Sequence, residues 1–286
     1  MQDRALIAAI QAAALFRTRV DGAAYASIAA ARVRDLSQAF GLSRCRVEIT
    51  ALENGVVPER YARNLNALTL DEQATLLKAV VAVVGLGGLG GVAVEILARL
   101  GIGTLTLIDG DCFEESNLNR QLLSTIDRLG MPKAQAAAER VQQINPSVST
   151  RAHGFFLTAD NASELLAGSA VVVDCLDNLP TRFNVETACR QLNLPLVSAA
   201  VAGATGQLTV IFPEDQGLAA IYGDPSGLPT RGVEAVLGNL PHTVTLLASL
   251  QCAEVVKILL GKDNVLRNRL LLVDLTDLTF AIMRLQ

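Results

Sequence analysis

Two textures divide the chain. Up to residue 57 apolar side chains recur at helical spacing, with Leu6, Ile10, Ala13 and Ala14 on one stripe and Val33, Leu36 and Phe40 on another. The spacing predicts several short helices and no strand, punctuated by Gly41, Gly55 and Pro58. Residues 1–57 thus read as a helical N-terminal extension, and residues 58–286 as a separate, larger domain. From Lys78 onward apolar, β-branched runs alternate with amphipathic segments. Strands covered on both faces need no polar alternation, so these runs predict an α/β domain with a Rossmann-like, doubly wound, mostly parallel sheet. The runs place strands at 79–84, 104–109, 149–155, 170–174, 195–200 and 206–212. Helices fall at 89–100, 133–145, 162–166, 181–192 and 243–260, followed by a hairpin-like segment at 269–285.

Of the 286 residues, 51% are hydrophobic and 18% charged, with a mean hydropathy of +0.37. That is too apolar for a disordered chain and long enough to bury a substantial core. The longest uncharged stretch, residues 191–213, is broken by Pro195, Gly203 and Gly206, which argues for strands and loops and against a membrane span. A net charge of −4 gives no general attraction to nucleic acid or anionic lipid, so neither is an expected partner. Residues 36–58 have a passing helix-turn-helix texture, but arginine exceeds acid only slightly around them. The five cysteines (Cys45, Cys112, Cys175, Cys189, Cys252) are odd in number and form no C-x-x-C pair. With no secretory-type start, they predict a reducing, cytoplasmic setting.

The first chemical signal is a strand running straight into Gly85-Leu86-Gly87-Gly88-Leu89-Gly90-Gly91 and then an apolar helix. Gly85, Gly87, Gly88 and Gly90 sit where backbone N–H groups and a helix N-terminus can meet a phosphate. The next strand ends in Asp109, where a carboxylate can accept from ribose hydroxyls. Beyond it come Asp111, the run Ser116, Asn117, Leu118, Asn119, Arg120 and Gln121, and then Lys133 opening a helix. A diphosphate on the glycine loop has no use for those amides and two cations, whereas a triphosphate does. Arginine supplies a planar fork and lysine a point charge, both suited to redistributing phosphoryl charge. The fourth strand closes on Asp174, followed by Cys175, Leu176, Asp177 and Asn178. Asp177 should face the ligand crevice and hold Mg²⁺, while Asp177 or Asn178 could instead cap the following helix.

These residues together resemble the ThiF/MoeB/HesA family, whose members activate ubiquitin-like proteins and sulfur carriers. The likeness runs over residues 60–285 and rests on Arg60-Tyr61-Ala62-Arg63-Asn64, the glycine loop, Asp109-Gly110-Asp111, Ser116 to Gln121, Gly130-Met131-Pro132-Lys133, Asp177-Asn178, Gly238 and Ser249-Leu250-Gln251-Cys252-Ala253-Glu254. The resemblance implies nucleotide contacts from Gly88, Asp109, Ser116, Asn117, Leu118, Asn119, Arg120, Lys133, Asp177 and Asn178. It also implies a homodimer in which Arg63 reaches the partner's site. Arg63, Arg120, Lys133 and Asp177 would then be the catalytic set, with ATP and Mg²⁺ as cofactors and a ubiquitin-fold sulfur-carrier protein as partner. The implied reaction is adenylation of the carrier's C-terminal carboxylate with release of pyrophosphate.

Two features depart from the family pattern. Many members hold zinc through two C-x-x-C pairs, and some place a cysteine nucleophile in the crossover loop. Here residues 212–238 contain no cysteine and the crossover reads Pro229-Thr230-Arg231-Gly232-Val233-Glu234, so neither zinc nor a thioester at that place is expected. His153 and His242 lack partners at ligand spacing. Three other readings stay open at this point. They are an NAD-dependent oxidoreductase built on the glycine loop and Asp109, a non-catalytic binding module, and an ATP-using relative acting on a small molecule or an RNA base.

Overall fold

Valine-rich runs become strands because Cβ-branched residues lose little freedom in extended backbone and pack on both faces of a pleat. A computed structural model, which describes residues 2–224 and 234–285, places these runs in one eight-stranded sheet. Its strands are β4 (Val80–Val84), β5 (Thr104–Ile108), β6 (Ser149–His153), β7 (Val171–Asp174), β8 (Leu196–Ala202), β9 (Thr205–Ile211), β10 (Arg269–Asp274) and β11 (Thr279–Arg284). Their spatial order is β11-β10-β9-β8-β7-β4-β5-β6. The five from β8 to β6 are parallel to one another, and β9, β10 and β11 continue the sheet antiparallel. From β4 the chain moves to β5 and β6 on one side, then returns to β7 on the other. Such a reversal opens a crevice at the carboxyl ends of the strands.

The twofold side-chain period decides which residues face which helices. Val81 and Val83 of β4 join Leu105 and Leu107 of β5 in the core under α5 (Gly88–Leu100), α6 (Lys133–Ile144) and α11 (Pro241–Leu259). Ala82, Val84 and Ile108 face the opposite way, toward α7 (Ala162–Leu166) and α8 (Leu179–Leu192). The 19-residue α11 is long and apolar enough to cross a membrane, yet here it packs against α5 and strands β7 to β9. Short helices α9 (Ala219–Tyr222) and α10 (Glu234–Leu237) lie between β9 and α11.

The N-terminal region corrects the all-helical expectation. Besides α1 (Gln2–Ala13), α2 (Ala30–Phe40) and α3 (Arg44–Glu53) it contains β1 (Leu15–Thr18), β2 (Ala24–Ile28) and β3 (Val56–Pro58), paired as β1-β2-β3. Strand β3 also straddles the boundary placed at residue 57. The β1–β2 hairpin turns at Asp21-Gly22, with Gly22 at φ +85° and the Gly22 N–H donating to Arg19 O at 3.0 Å. Asp-Gly is a strong hairpin signal, but β1 is exposed at all four positions and left no buried alternation to read. Leu6, Ile10, Ile28, Val33, Val47, Ala51 and Val56 give this region its own core.

A 3-10 turn, Glu59–Asn64, and α4 (Leu70–Lys78) connect the two parts. Helix α4 begins with a capping box in which Thr69 and Glu72 satisfy each other's backbone N–H groups. Glu72 also accepts from Lys262 Nζ at 2.6 Å. This lysine, followed by the Thr69 amide, holds the Glu72 carboxyl down to about 2. Because the folded value lies below the unfolded one, the stabilisation is full above roughly 4.3 and is lost as pH falls toward the folded value. The Tm of Glu72→Gln should therefore lie below that of the parent near neutral pH and converge with it in acid. A gap that stayed constant down the acid limb would disprove this linkage.

Candidate active site

Glycine shapes the end of β4. A Cβ on Gly90 would lie 1.8 Å from the Gly85 carbonyl oxygen, so α5 sits directly on the strand end. Gly85 itself has φ +85°, and a Cβ there would meet Cys175 O at 2.8 Å. Gly87 occupies the N-cap position of α5 and offers no side-chain cap, which leaves first-turn N–H groups for a ligand. Asp109, at the end of β5, accepts from the Leu86 N–H at 2.6 Å and the Asp111 N–H at 2.8 Å. Burial raises its pKa, opposed by Lys133 and those amides.

Lys133 is the first residue of α6, is nearly buried, and pairs with Asp111 Oδ2 at 3.0 Å. A helix N-terminus is the unfavourable end for a cation, so the placement is a cost that stability alone does not explain. Arg120 is steadied by Ser116 O at 3.1 Å and Asn119 Oδ1 at 2.8 Å. Asn117 accepts from the Glu114 N–H at 3.1 Å, and Asn119 donates to Asn239 O at 3.2 Å. The amide run is thus a clamp around Arg120. Gln121 is buried against Gly87, and its Oε1 has no hydrogen-bond partner among the described residues.

The alternative roles of Asp177 and Asn178 separate cleanly. Asn178 caps α8 by accepting from the Thr181 N–H at 3.0 Å. Asp177 is exposed and, among the described residues, makes no hydrogen bond or ion pair. Beneath it lies a buried cluster that the sequence did not single out. Arg182 Nη1 donates to Asp174 Oδ2 at 3.1 Å and Ser198 Oγ at 3.2 Å, while Nη2 donates to Leu176 O and Ala199 O. By gripping Leu176 O, Arg182 sets the loop that carries Asp177. Its signal in the sequence was a cation in the first turn of a helix, out of place unless paired. Gln251 of α11 supports the same loop by donating to Asp174 O at 2.9 Å.

These groups line a cavity of about 1230 Å³ along the top of the sheet. Gly85, Gly87, Gly88, Asp109, Asp111, Arg120, Gln121, Lys133, Asp177 and Asn178 all border it, with Phe156 at its lip. The cavity continues over the antiparallel strands, past Ala200, Ala202, Gly206, Gln207, Asp274, Thr279 and Ala281. Ser116, Asn117, Leu118, Asn119 and Gly90 do not line it, and neither does Arg63, which is exposed on the Glu59–Asn64 turn. Residues 229–233 of the crossover segment lie outside the described residues. Cys189 and Cys252 are buried, and burial pushes both thiols up to about 12. No group of three or more potential metal-ligating side chains occurs among the described residues.

A model of the ThiF family matches residues 61–286. The chain belongs to the ThiF family. It is 38% identical over 227 residues to the SAMP-activating enzyme E1 of Haloferax volcanii, covering 78% of this chain and 83% of that protein. It is also 38% identical over 208 residues to the sulfur carrier protein ThiS adenylyltransferase of Escherichia coli, covering 72% and 82%. In three dimensions it shares its fold with the crystal structure of E. coli MccB with MccA-N7isoASN, at TM-score 0.68 and 20% identity, over 88% of this chain and 79% of that one. This ThiF-family chain is an adenylyltransferase, and that class sets aside the oxidoreductase and non-catalytic readings.

Removing one member of a buried ion pair strands the other charge in a poor solvent. Arg182→Ala should lose about 3–5 kcal/mol in urea unfolding, and the Arg182→Ala/Asp174→Ala double variant should lose less than the two single losses combined. Simple additivity would show that the pair is not coupled.

Proposed function

We propose that this ThiF-family enzyme uses ATP to adenylate the C-terminal carboxylate of a small ubiquitin-fold sulfur-carrier protein, releasing pyrophosphate. The observation that carries this reading is the shape of the cavity. One end has the donors for a triphosphate, and the other runs over strands whose lining residues are mostly small, where a narrow, extended tail fits. Strand β11 borders that second end, and its outer edge pairs with no other strand among the described residues. Phe280, Ile282 and Met283 on it are each more than half exposed, a surface suited to a protein body.

A C-terminal carboxylate has a pKa of roughly 3.3–3.7, so it arrives ionised and requires no general base. One of its oxygens attacks the α-phosphorus, and the bond from that phosphorus to the oxygen bridging to the β-phosphate breaks. The electron pair leaves with pyrophosphate, and the carrier becomes an acyl adenylate. The barrier is the approach of two anions. First-turn amides of α5, Arg120 and Lys133 would screen it, and Arg63 of a second copy would add a further cation. Asp109 would receive ribose hydroxyls on its remaining lone pairs, and the stranded Gln121 Oε1 is a polar acceptor on the cavity wall awaiting a donor.

Mg²⁺ fits at Asp177, a carboxylate on the cavity wall with no protein partner among the described residues, because the ion favours one or two carboxylates plus phosphate oxygens. Bound there, it would supply charge neutralisation to the phosphates. A reducing, cytoplasmic setting accords with five unpaired cysteines, of which Cys189 and Cys252 are buried.

ATP–pyrophosphate exchange measured with and without a candidate carrier tests the reading, and exchange should require both the carrier and Mg²⁺. Asp177→Ala should lower it by about 10²-fold or more while leaving urea stability within about 0.5 kcal/mol. Asn178→Ala, in contrast, should cost about 1 kcal/mol of stability. Carrier-independent exchange on a small carboxylic acid would overturn the protein-substrate assignment. Single Ser replacement of each of the five cysteines should leave exchange active, and a carrier adduct lost with one particular cysteine would show that a covalent step follows adenylation.

A further inference from the structure

The Glu59–Asn64 turn is a short 3-10 segment, and such a segment holds itself poorly because its hydrogen bonds are strained. In this chain it is held from outside at nearly every side chain. Glu59 accepts from Ser27 Oγ and, at 3.4 Å, from Tyr25 Oη, both on β2. Asn64 Nδ2 donates to Gln73 Oε1 at 2.8 Å. Arg60 donates to Asn145 and lies 3.4 Å from Glu48 Oε1. Tyr61 Oη donates to Glu48 Oε2 at 3.3 Å and accepts from Asn145 Nδ2 at 2.9 Å. Arg63 differs from its neighbours: it is exposed and, among the described residues, has no hydrogen bond or ion pair.

Glu48 stands out within this arrangement. It is on α3 of the N-terminal region, ahead of the stretch matched by the family model, and its side chain is fully buried. Burial pushes its carboxyl up, with Arg60 acting in the other direction. Packing α3 would be served better by an apolar residue, since a buried charge adds little net stability. What the carboxylate adds is direction. Oε1 lies within ion-pair distance of Arg60 without a hydrogen bond and Oε2 accepts from Tyr61, so two consecutive residues of the turn are referred to one buried carboxylate.

We propose that Glu48 is a positioning residue that holds the turn so that the Arg63 guanidinium is presented in a fixed direction to a second copy of this chain. The N-terminal region thereby takes part in the neighbouring subunit's reaction without touching its substrate. This rests on the proposed reading in which Arg63 completes the partner's site.

The test uses the full chain and ATP–pyrophosphate exchange in the presence of the carrier. Glu48→Gln preserves volume and the acceptor for Tyr61 but removes the charge that orients Arg60. It should lower kcat by about 10- to 100-fold, leave the KM for ATP within about twofold of the parent, and leave the ATP-induced rise in Tm intact. The double variant Glu48→Gln/Arg63→Ala should be no slower than Arg63→Ala, because one residue acts through the other. After subunit exchange, Glu48→Gln chains mixed with Asp177→Ala chains should recover one competent site, formed by the Asp177 of the first chain and the properly held Arg63 of the second. A slow Glu48→Gln that is additive with Arg63→Ala, or that no mixing restores, would overturn the inference, as would a parent-like Glu48→Gln beside an inactive Arg63→Ala. Full exchange by Arg63→Ala would instead overturn the shared-site reading beneath it.

Discussion

Helix α5 can occupy its place only because its contacts at both ends lack a Cβ. At the N-terminal end Gly90 rests on the carbonyl of Gly85, where a methyl group would be 1.8 Å from oxygen. At the C-terminal end Gly101 caps the helix in the left-handed region, at φ +81°, and a Cβ there would lie 2.5 Å from Tyr61 Oη. The first contact brings the helix amides to the floor of the cavity. The second seats the helix against the polar cluster of Tyr61, Asn145 and Glu48, which Asn145 ties to Ala98 O at 3.0 Å. One rigid 13-residue element therefore connects the cavity with the turn that carries Arg63.

Charge is arranged against the grain of local stability. Lys133 and Arg182 both lie in the first turns of helices, where the backbone dipole disfavours cations, and both are nearly buried. Each is offset by one carboxylate, Asp111 for Lys133 and Asp174 for Arg182. The two pairs differ in exposure, and that difference separates their roles. Asp174 is fully buried, so the Arg182 pair is a fixed internal strut, whereas Asp111 is half exposed, which in the proposed reading leaves Lys133 available to a phosphate.

The hybrid sheet places two kinds of surface along one rim. Its parallel half offers strand ends opening onto helix N-termini, the geometry that suits phosphates. Its antiparallel half offers backbone hairpins, small side chains and, at β11, an edge unpaired among the described residues with apolar side chains on both faces. Because β8 belongs to both halves, the cavity runs from one surface to the other without a break. In the proposed reading, that continuity joins the nucleotide end of the cavity to the carrier end.

Local pattern was enough to read the strands from β4 to β9, the glycine loop, and Asp109 at its strand end, since each depends on residues adjacent in sequence. Local pattern narrowed the cap of α8 to Asp177 or Asn178, and the structure assigns it to Asn178. The β1–β2 hairpin was missed despite Asp21-Gly22, because an exposed four-residue strand has no buried face to alternate with. Only the tertiary structure decided that Arg182 meets Ser198 and Ala199 while bracing the loop of Asp177, and that Glu48 faces Arg60 and Tyr61. Periodicity and turn chemistry act over a few residues and are written along the chain. A buried hydrogen bond or ion pair depends on which surfaces meet after the sheet and helices have packed, and residues as far apart as Tyr61 and Asn145 acquire their partners only then.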